Sequence, residues 1–580
     1  MQGVVSLKGW MSVAVALSLF IVACQAPPAA APTSAPAAKP TTAPPPPTAA
    51  PTSAAAKPTT APAAAPTAAA AAPIATSPAA AQPAAAGGGA ITFAIPAEPQ
   101  TFDPAIEVAG PGYRVMKQTY EGLLAYKSNT TDLAPALAAS WTVATDGTSI
   151  DLKLRSGVKF HDGSALDAET VKASIDRTKA VNKGGAFFLQ ALKEVQVVDP
   201  MTVRLVATQP SVSLLYGLPK VYITGKAHLA DGDKGAAYFA TSINGTGPFK
   251  LSRWDKGQQI VFDRFADYWG GWSGSHVDQL IERVVPETGT QQLLLEKGDA
   301  QLVVLPTIGI TQDPKEIASK PGVRMVETPS LRVTVISMNT QKGPLKDVRL
   351  RKALQAAFDY QGMLQIYQGY AEVPNSPLPK GFTAAYDASL PPFKQDLDLA
   401  KRLLAEAGFA NGGLNLSFLY TETEAQARLA GLLMQQTLQP LGINMELQGK
   451  PFAALAAQIA DKEAAPDIQA TLTMTPRTAD PGELLATLYA GNNVGQSYNY
   501  SWYANTDVDQ MLAEADRTFD DTARYGIYRK IAQKLIDDAP SIWAAYPKLI
   551  EVMRAEVQDY VYSPLDYSGV FSFYPISLKK

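Results

Sequence analysis

The clearest pattern of apolar and polar positions lies in residues 149–177 and predicts a strand, a turn and a helix in succession. Side chains alternate between polar and apolar over Ser149–Leu154, which is the period of a half-buried strand. Further on, Asp167 can cap a helix, because its carboxylate accepts hydrogen bonds from the free N–H groups of a first turn. Val171 and Ile175 then fall on one face of that helix and are expected to pack on the strand.

Strands and amphipathic helices alternate in the same way up to residue 359. The predicted strands are residues 90–95, 202–206, 258–265, 301–305 and 331–338. The predicted helices are residues 113–124, 287–296 and 348–359. This interleaving predicts an α/β fold of mixed sheets with flanking helices.

A more regular rhythm follows, in which strands and helices take turns. A strand is predicted at 414–420, a helix at 424–438, a strand at 443–447 and a helix at 452–460. A βαβ order of this kind is typical of parallel strands. A long helix at 522–536 and an apolar run at 540–546 come next.

The start of the chain reads as an export signal. Lys8 is followed by an apolar run over residues 11–22, which is too short to span a membrane and has the length of a signal-peptide core. The run ends at Ile21-Val22-Ala23-Cys24, which resembles a bacterial lipobox. We expect residues 1–23 to be removed and Cys24 to be lipidated as the new N-terminus, although a lone cysteine is more often a buried apolar residue. Cys24 is the only cysteine, so no disulfide is expected.

The next stretch, residues 24–89, is a tether by composition. It consists mainly of alanine, proline, threonine and serine and has no acidic or aromatic residue. Such a chain cannot bury enough apolar surface to fold, so it is predicted to be disordered and extended by its prolines. Fully stretched, it would reach roughly 150–200 Å. A plain spacer is the simplest interpretation, and an O-glycosylated stalk is the alternative.

Composition narrows the classes of function. The chain has 580 residues, which suggests several domains, and its net charge of −3 gives no basic surplus, so no nucleic-acid partner is expected. There is no HExxH or GxSxG motif, and the only histidines, His161, His228 and His276, are far apart. We expect His161 to stabilise a turn by a hydrogen bond. We therefore expect no enzyme, metal site or cofactor, with a tethered extracellular hydrolase as the competing class.

Several short motifs stand in a characteristic order and spacing. They are QTFDP at 100–104, YEGL at 120–123, GVKFHDG at 157–163, GTGPF at 245–249, DYWGG at 267–271 and AKRLLAEAG at 400–408. With the longer stretches 244–271 and 348–369, they resemble the extracellular solute-binding proteins of ABC importers, in the peptide/nickel-type group. The likeness runs from about residue 90 to the C-terminus.

The resemblance implies a two-lobed, periplasmic-binding-protein-like fold of the class II, large three-subdomain type, with a hinge between the lobes. The first lobe would comprise residues 90–331, with a subdomain inserted at about 126–243. The second lobe would comprise residues 332–545. Residues 546–580 would return to complete the first lobe, so that the chain crosses between lobes twice.

The resemblance also places a ligand between the lobes, near Glu107, Val108, Ala109 and loops of the second lobe. Peptide-binding relatives typically carry an aspartate three residues before an Asp-Pro pair, where it pairs with the ligand's α-amino group. This chain has the pair at 480–481, and the matching position is Arg477, which reverses the charge. In another register Asp480 would be the amine partner. A plain surface or salt-bridging role for Arg477 stays open.

Aromatic residues follow in the same region. Tyr498, Tyr500 and Trp502 are candidates for stacking on a sugar or a peptide side chain. The competing interpretation is that they belong to the core of the second lobe.

Taken with the resemblance, these features predict a lipid-anchored, extracytoplasmic binding protein. It would capture a small solute, by default a peptide, and deliver it to the permease subunits of an ABC transporter. An oligosaccharide or another non-peptide solute is the alternative ligand, since members of the group differ in what they bind. A sensor that binds without delivering is a further alternative. A monomer is expected.

Overall fold

A computed structural model describes residues 88–107, 110–231, 233–304, 313–566 and 569–579. The predicted signal segment, Cys24 and all but the last two residues of the predicted tether lie outside the described residues. Val108 and Ala109 also lie outside them.

Up to residue 328, strands and helices are interleaved as the sequence predicts. The strands are β1 Ala90–Ile95, β2 Leu124–Tyr126, β3 Leu133–Pro135, β4 Ala138–Val143, β5 Ser149–Leu154, β6 Leu192–Asp199, β7 Thr202–Ala207, β8 Phe249–Asp255, β9 Gln259–Arg264, β10 Gln279–Val284, β11 Leu302–Val303 and β12 Val323–Thr328. The helices are α1 Gly110–Thr119, α2 Ala168–Val181, α3 Val212–Gly217, α4 Ala236–Phe239, α5 Thr288–Lys297 and α6 Pro314–Ala318. Short 3₁₀ segments lie at Gly184–Leu189 and Leu218–Lys220.

The remainder of the chain adds nine more strands and eight more helices to the described part. The strands are β13 Val333–Met338, β14 Ala371–Glu372, β15 Leu414–Thr421, β16 Ile443–Lys450, β17 Ile468–Met474, β18 Ser541–Pro547, β19 Leu549–Arg554, β20 Val557–Gln558 and β21 Ser577–Leu578. The helices are α7 Val348–Ala357, α8 Tyr360–Ile366, α9 Leu397–Glu406, α10 Ala425–Leu438, α11 Phe452–Ala460, α12 Pro481–Tyr489, α13 Thr506–Arg517 and α14 Asp521–Asp538.

The largest sheet joins the first strand of the fold to the last part of the chain. Its seven strands run in the order β12-β19-β11-β1-β10-β9-β8. The central strand β1 is parallel to β10 and β11, whereas β19 is antiparallel to both of its neighbours. Phe93 of β1 packs against the rings of Phe571 and Phe573, with centroids 5.9 and 5.7 Å away. The two ends of the fold therefore share one core.

The second sheet has six strands in the order β14-β18-β13-β17-β15-β16. β15 and β16 are parallel and are connected by α10, as the βαβ rhythm of the sequence predicts. β13 is buried along its whole length and pairs antiparallel with β17 and β18. Its continuous burial, which includes Thr334 and Ser337, fits a strand that is covered on both faces.

A third, four-stranded sheet, β4-β5-β7-β6, is antiparallel throughout and is packed against α2. The predicted cap of α2 is confirmed, because the Asp167 side chain accepts a hydrogen bond from the backbone N–H of Thr170 at 2.7 Å. Such a cap contributes about 1 kcal/mol to the stability of a helix. Val171 and Ile175 are fully buried, as the pattern predicts.

We call the part built on the seven-stranded sheet the first lobe, and the part built on the six-stranded sheet the second lobe. The four-stranded sheet with α2, α3 and the 3₁₀ segments Gly184–Leu189 and Leu218–Lys220 is the inserted subdomain. The chain passes between the two large sheets twice, from β12 to β13 and from β18 to β19. At these passages Ser330 donates a hydrogen bond from its hydroxyl to the carbonyl of Pro547.

Three of the motifs meet at one carboxylate, that of Glu121. It accepts hydrogen bonds from the Thr246 hydroxyl at 2.8 Å, the Tyr268 hydroxyl at 3.1 Å and the Trp269 indole at 2.8 Å. Desolvation raises the pKa of Glu121 to about 7, and the three donors act against that rise. The YEGL, GTGPF and DYWGG motifs are thus explained by one polar junction in the first lobe.

The QTFDP motif has a similar structural use. Asp103 is buried and forms a two-pronged ion pair with Arg177 of α2, at 2.8 and 2.6 Å. The Arg177 guanidinium also lies 4.8 Å from the centre of the Phe239 ring. The pair fastens the inserted subdomain to the start of the first lobe, since a buried charge is tolerated only when it is paired.

His161 has the structural role that the sequence analysis expects. Its Nε2 lies 3.0 Å from the carbonyl oxygen of Gly247, which can only accept, so Nε2 carries the hydrogen. Burial lowers the pKa of His161 to about 4, so the ring is neutral at physiological pH.

Two helix boundaries differ from the predictions for clear physical reasons. The helix predicted at 113–124 is α1, which ends at Thr119, because Gly122 forms a β-bridge with Tyr222 and the following residues enter β2. The helix predicted at 348–359 ends at Ala357, because the Asp359 side chain caps α8 by accepting from the Gly362 N–H at 2.8 Å. The strand predicted at 301–305 is short, and the chain beyond Val304 leaves the described residues.

Candidate functional site

A cavity of about 1020 Å³ lies between the inserted subdomain and the second lobe. Its lining on the side of the inserted subdomain includes Phe187, Phe188, Gln190, Ser211 and Ser213. Its lining on the side of the second lobe includes Arg477, Thr478, Glu483, Asp509 and Asp516. Ligand sites are commonly concave spaces of roughly 300–1,000 Å³, so this cavity has room for a peptide of a few residues.

A smaller cavity of about 370 Å³ adjoins the first and shares Phe187, Phe188, Gln190 and Arg477 with it. It is otherwise lined by residues of the segment Asn182 to Ala186. Arg477 thus stands at the boundary of both spaces.

Arg477 lies in the turn between β17 and α12. Its guanidinium is 3.3 Å from the Glu483 carboxylate and 4.5 Å from the centre of the Phe187 ring. The backbone N–H of Arg477 donates to the same carboxylate at 2.9 Å. With 45% of its side chain exposed, Arg477 both lines the cavities and bridges the second lobe to the inserted subdomain. The structure shows the salt-bridging role and places Arg477 at the cavity, and its contact with a ligand stays a prediction.

Glu483 is the carboxylate behind Arg477. Only 12% of its side chain is exposed, and it also accepts a hydrogen bond from the Thr487 hydroxyl at 3.2 Å. Desolvation raises the pKa of Glu483, and the neighbouring Arg477 charge lowers it. The position at the first turn of α12 favours its negative form.

Asp480 is placed differently from what the alternative register expects. It is 2% exposed and caps α12, accepting from the Gly482 N–H at 2.9 Å and from the Tyr528 hydroxyl at 2.6 Å. Arg524 lies 3.4 Å away, and burial raises the pKa of Asp480 to about 6. Asp480 lines neither cavity: its Oδ2 accepts both hydrogen bonds, and its Oδ1 faces the Arg524 guanidinium.

Two of the three aromatic residues predicted to contact a ligand, Tyr500 and Trp502, are buried in the second lobe. Tyr500 is buried with Leu419, Leu455 and Ile459. The Trp502 indole N–H donates to the carbonyl of Ile459 at 3.1 Å. Both rings are 8% exposed and border neither cavity, since their apolar faces pack in the second lobe.

Tyr498 is half-buried, with its ring centroid 5.5 Å from that of Tyr500. Its neighbour Ser497 lines the larger cavity, but Tyr498 does not. Glu107 is likewise absent from the lining of both cavities, and desolvation raises the pKa of its carboxylate. Val108 and Ala109 lie outside the described residues.

Two contacts between the inserted subdomain and the second lobe were not predicted from the sequence, and the first of them lies in the lining of the larger cavity. The Ser213 hydroxyl and backbone N–H both donate to the Asp516 carboxylate, at 2.6 and 2.7 Å. Arg524 donates to the Tyr216 hydroxyl at 3.0 Å. Each of these bonds joins the inserted subdomain to the second lobe, so the lobes are in contact on this side of the cavity. No local signal marks such pairs, because their members are about 300 residues apart.

A second residue that the sequence analysis missed is Lys220. It is 5% exposed, and its ammonium lies 3.4 Å from the centre of the Tyr113 ring. Lys220 is the single charged residue in the apolar run 214–223. That pattern would have predicted a buried lysine.

Among the described residues, no helix combines the length and the apolar character needed to cross a membrane. The same part of the chain holds no group of three or more histidine, cysteine or acidic side chains arranged to bind a metal ion.

Comparison with known sequences identifies relatives over most of the chain. The profile of the bacterial extracellular solute-binding proteins, family 5 Middle, matches residues 132–496. The chain is 29% identical over 484 residues to the probable D,D-dipeptide-binding periplasmic protein DdpA of Escherichia coli (strain K12). That match covers 81% of this chain and 90% of the relative.

Solved structures give the same result. HbpA2 from Haemophilus parasuis superposes with a TM-score of 0.75 at 24% identity, covering 85% of this chain and 100% of that one. The binding protein DppA from Helicobacter pylori, in complex with the peptide STSA, superposes with a TM-score of 0.68 at 26% identity, covering 85% and 98%. These likenesses confirm the two-lobed, mixed α/β fold that the sequence predicts.

Proposed function

The chain belongs to the bacterial extracellular solute-binding proteins of family 5, the peptide/nickel-type binding proteins of ABC importers, and we propose that it captures a peptide between its two lobes for delivery to a permease. The observation that carries the proposal is the cavity of about 1020 Å³, which is lined from both sides by different parts of the fold. A ligand held there would contact both sides at once. Closure of two lobes around a ligand is a common switching motion.

A peptide is supported by the relatives and by the lining. DdpA is described as a probable D,D-dipeptide-binding protein, and the structure of DppA from Helicobacter pylori contains a peptide. In this chain the lining offers carboxylates, hydroxyls and a guanidinium beside the rings of Phe187 and Phe188. Such a mixture suits backbone amides and apolar side chains of a peptide.

Arg477 favours one class of peptide end over another. A guanidinium keeps its charge in any cleft and repels an ammonium, while its planar fork of donors suits a carboxylate or hydroxyl groups. We therefore infer that the ligand presents no free amine to Arg477. A blocked or oppositely oriented peptide fits this subsite, and an oligosaccharide or an anionic solute is the second candidate.

The described residues suggest how capture and release are balanced. Two hydrogen-bonded pairs hold the inserted subdomain against the second lobe, Ser213–Asp516 and Tyr216–Arg524. A third pair, Ser330–Pro547, joins the two connections between the lobes. We place the hinge at the connections from β12 to β13 and from β18 to β19, because hinges are commonly a few residues at the ends of strands or helices. Opening would break the contacts at the cavity and keep those at the hinge.

The remaining parts of the proposal rest on the sequence. We propose that Cys24 is lipidated and that residues 24–89 tether the binding protein, as a monomer, on the outer side of the cell membrane. We also propose that the protein catalyses no reaction, in keeping with the binding proteins it resembles. Incubation with a peptide or oligosaccharide mixture, read by mass spectrometry, tests for turnover.

The experiment that tests the function is native mass spectrometry of protein purified without unfolding. Lobes that close on a ligand retain it, so we expect an adduct whose mass and fragmentation identify a peptide. A sugar adduct would establish the second candidate. A protein that carries no adduct and binds nothing from a peptide mixture would contradict peptide capture.

A further inference from the structure

The smaller cavity, of about 370 Å³, is lined by cations and by no carboxylate among the described residues. Its charged lining consists of Lys183 of the inserted subdomain and Arg477 of the second lobe. The amide side chains of Asn182 and Gln190 and the ring of Phe187 also line it. Two different parts of the fold therefore bring positive charge to this space.

The larger cavity has the opposite polarity. Apart from the shared Arg477, its charged lining among the described residues consists of the carboxylates of Glu483, Asp509 and Asp516. Glu483 is paired with Arg477 at 3.3 Å, whereas neither aspartate forms an ion pair with a described residue. Asp509 is half-buried and accepts one hydrogen bond, from the Gly491 N–H at 2.8 Å. Negative charge thus lies on one side of Arg477 and positive charge on the other.

The backbone around Lys183 is fixed by the residues before and after it. α2 ends at Asn182, whose left-handed φ of 51° turns the chain out of the helix. A Cβ added at Gly184 would lie 2.2 Å from the carbonyl oxygen of Ile106, so only glycine allows the chain to pass this close to the first lobe. The Lys183 side chain itself is exposed. It is a solvated charge on a fixed support.

Both cations keep donors for a ligand. Among the described residues, none accepts a hydrogen bond from the Lys183 ammonium or forms an ion pair with it. By contrast, Lys179, one turn earlier, donates to two backbone carbonyls at 2.7 and 2.9 Å. Arg477 uses one nitrogen, Nη1, for Glu483, and its guanidinium lies 4.5 Å from the centre of the Phe187 ring. The rest of its planar fork has no acceptor in the described part of the chain.

Glu107 is the acidic residue next to this turn of the first lobe, and it does not supply the missing negative charge. A Cβ added at Gly112 would lie 2.4 Å from the Oε2 of Glu107, so the carboxylate lies against the start of α1. Glu107 accordingly lines neither cavity.

We propose that the smaller cavity is the subsite for a carboxylate of the captured ligand, held between Lys183 and Arg477, and that the ligand's ammonium lies toward Asp509 in the larger cavity. This inference rests on the proposed function, and it narrows the ligand to a zwitterion, such as a peptide with both ends free. An arginine fork suits the two oxygens of a carboxylate, and a lysine adds a point charge. The reverse orientation would place like charges together at both ends.

The test compares one set of synthetic tripeptides in four forms, with the N-terminus free or acetylated and the C-terminus free or amidated. Calorimetry and native mass spectrometry measure their binding to the wild type, Lys183→Met, Lys183→Arg and Asp509→Asn. Lys193→Met and Glu514→Gln are the matched controls, because both residues are exposed, on β6 and α13, and line neither cavity.

The wild type should bind free acids roughly tenfold more tightly than the matching amides, because a carboxylate gains charge-assisted hydrogen bonds. Lys183→Met should reduce this preference about threefold, as expected for an exposed charge, without changing the binding of amides. Lys183→Arg should keep the preference. Added salt should also reduce it in the wild type, since the screening length falls from about 10 Å at 0.1 M to about 3 Å at 1 M.

The amine end is tested independently. Asp509→Asn should reduce the preference for free over acetylated N-termini and leave the preference for free acids unchanged. Both controls should behave as the wild type. A preference for free N-termini that persists in Asp509→Asn would overturn the assignment of the ammonium.

The remaining outcomes separate the carboxylate subsite from peptide capture. A preference for acids that is absent from the wild type, or unchanged in Lys183→Met, would overturn the subsite and leave peptide capture intact. Succinate, compared with its diamide by thermal shift, serves as a carboxylate without a peptide. Stabilisation by succinate of the wild type but not of Lys183→Met, with no tripeptide bound, would support the subsite and overturn peptide capture. If neither the tripeptides nor succinate bind, both are overturned.

Discussion

The Ser330 hydroxyl donates a hydrogen bond to the backbone carbonyl of Pro547, and so links the two connections by which the chain passes between its lobes. Both residues are buried at this point. Beside them, the Lys548 N–H donates to the carbonyl of Tyr370 at 2.9 Å. The two passages are therefore connected to each other and to the second lobe.

Ser330→Ala should destabilise the protein by about 1 kcal/mol, because it leaves a buried carbonyl without its donor. Urea unfolding measures this loss. Ser389→Ala is the control, since Ser389 is exposed and bonds only to its neighbour Asp387. Equal stability of the two variants would show that the bond between the two connections contributes nothing.

Asp516→Ala should favour an open arrangement of the lobes, because it removes the acceptor of two hydrogen bonds from Ser213. Hydrogen bonds to a charged group contribute about 1.5–3 kcal/mol, so ligand affinity should fall roughly tenfold or more. Small-angle scattering should show a larger radius of gyration. Glu514→Ala, on the exposed face of the same helix, is the control, and an identical effect of both variants would contradict the role of Asp516.

Arg477→Ala should weaken binding of the identified ligand roughly ten- to a hundredfold, because a charge-assisted hydrogen bond is worth about 1.5–3 kcal/mol. The variant also leaves Glu483 without its partner, so Arg477→Ala combined with Glu483→Gln separates the two effects. Calorimetry measures each, with the exposed Arg402→Ala as control. An unchanged dissociation constant, or a bound peptide with its ammonium against Arg477, would show that Arg477 is only a surface or salt-bridging residue.

Lys220→Met should stabilise the protein, and more so at pH 6 than at pH 9. Unfolded, Lys220 keeps its proton up to its ordinary pKa near 10.5, whereas the folded protein releases it above about 7. Between these values the unfolded state binds more protons, so the stability of the wild type rises with pH toward that of the variant. Below pH 7 the penalty of the buried charge is complete.

Urea midpoints of the wild type and Lys220→Met at both pH values measure the difference, and Lys193→Met should show none. A gain of equal size at pH 6 and pH 9 would mean that Lys220 does not titrate between them.

Cys24→Ser should release the protein from membranes, because the lipobox-like sequence before it predicts acylation of this sulfur. Fractionation of cells that express the variant checks the outcome. A processed variant that stays with the membrane would show that another feature anchors the chain.

Much of the fold follows from local patterns. Ser149–Leu154 and Phe452–Ala460 have the bounds that their periodicity predicts, because each element hides one face and exposes the other. Local rules fail where a distant contact competes. Propensity alone would continue α1 past Thr119, but Gly122 is held by its bridge to Tyr222, about one hundred residues away.

The candidate site was predictable only in part. Arg477 could be found, because it stands at a fixed distance from an Asp-Pro pair that resembles those of the family. Tyr500 and Trp502 could not be assigned, because an aromatic ring has the same signature in a core and in a cleft. Lys220 and the Ser213–Asp516 contact depend on which segments meet in space, and no short pattern encodes that.

The position of β19 sets an order of events during synthesis. β19 lies between β11 and β12, yet residues 549–554 are made long after both of those strands. Until they arrive, β11 and β12 each carry an unpaired edge, which can pair with the backbone of another chain. The first lobe therefore closes only after the whole second lobe has been made. Translation that stalls before residue 549 should give an aggregating chain rather than a working half.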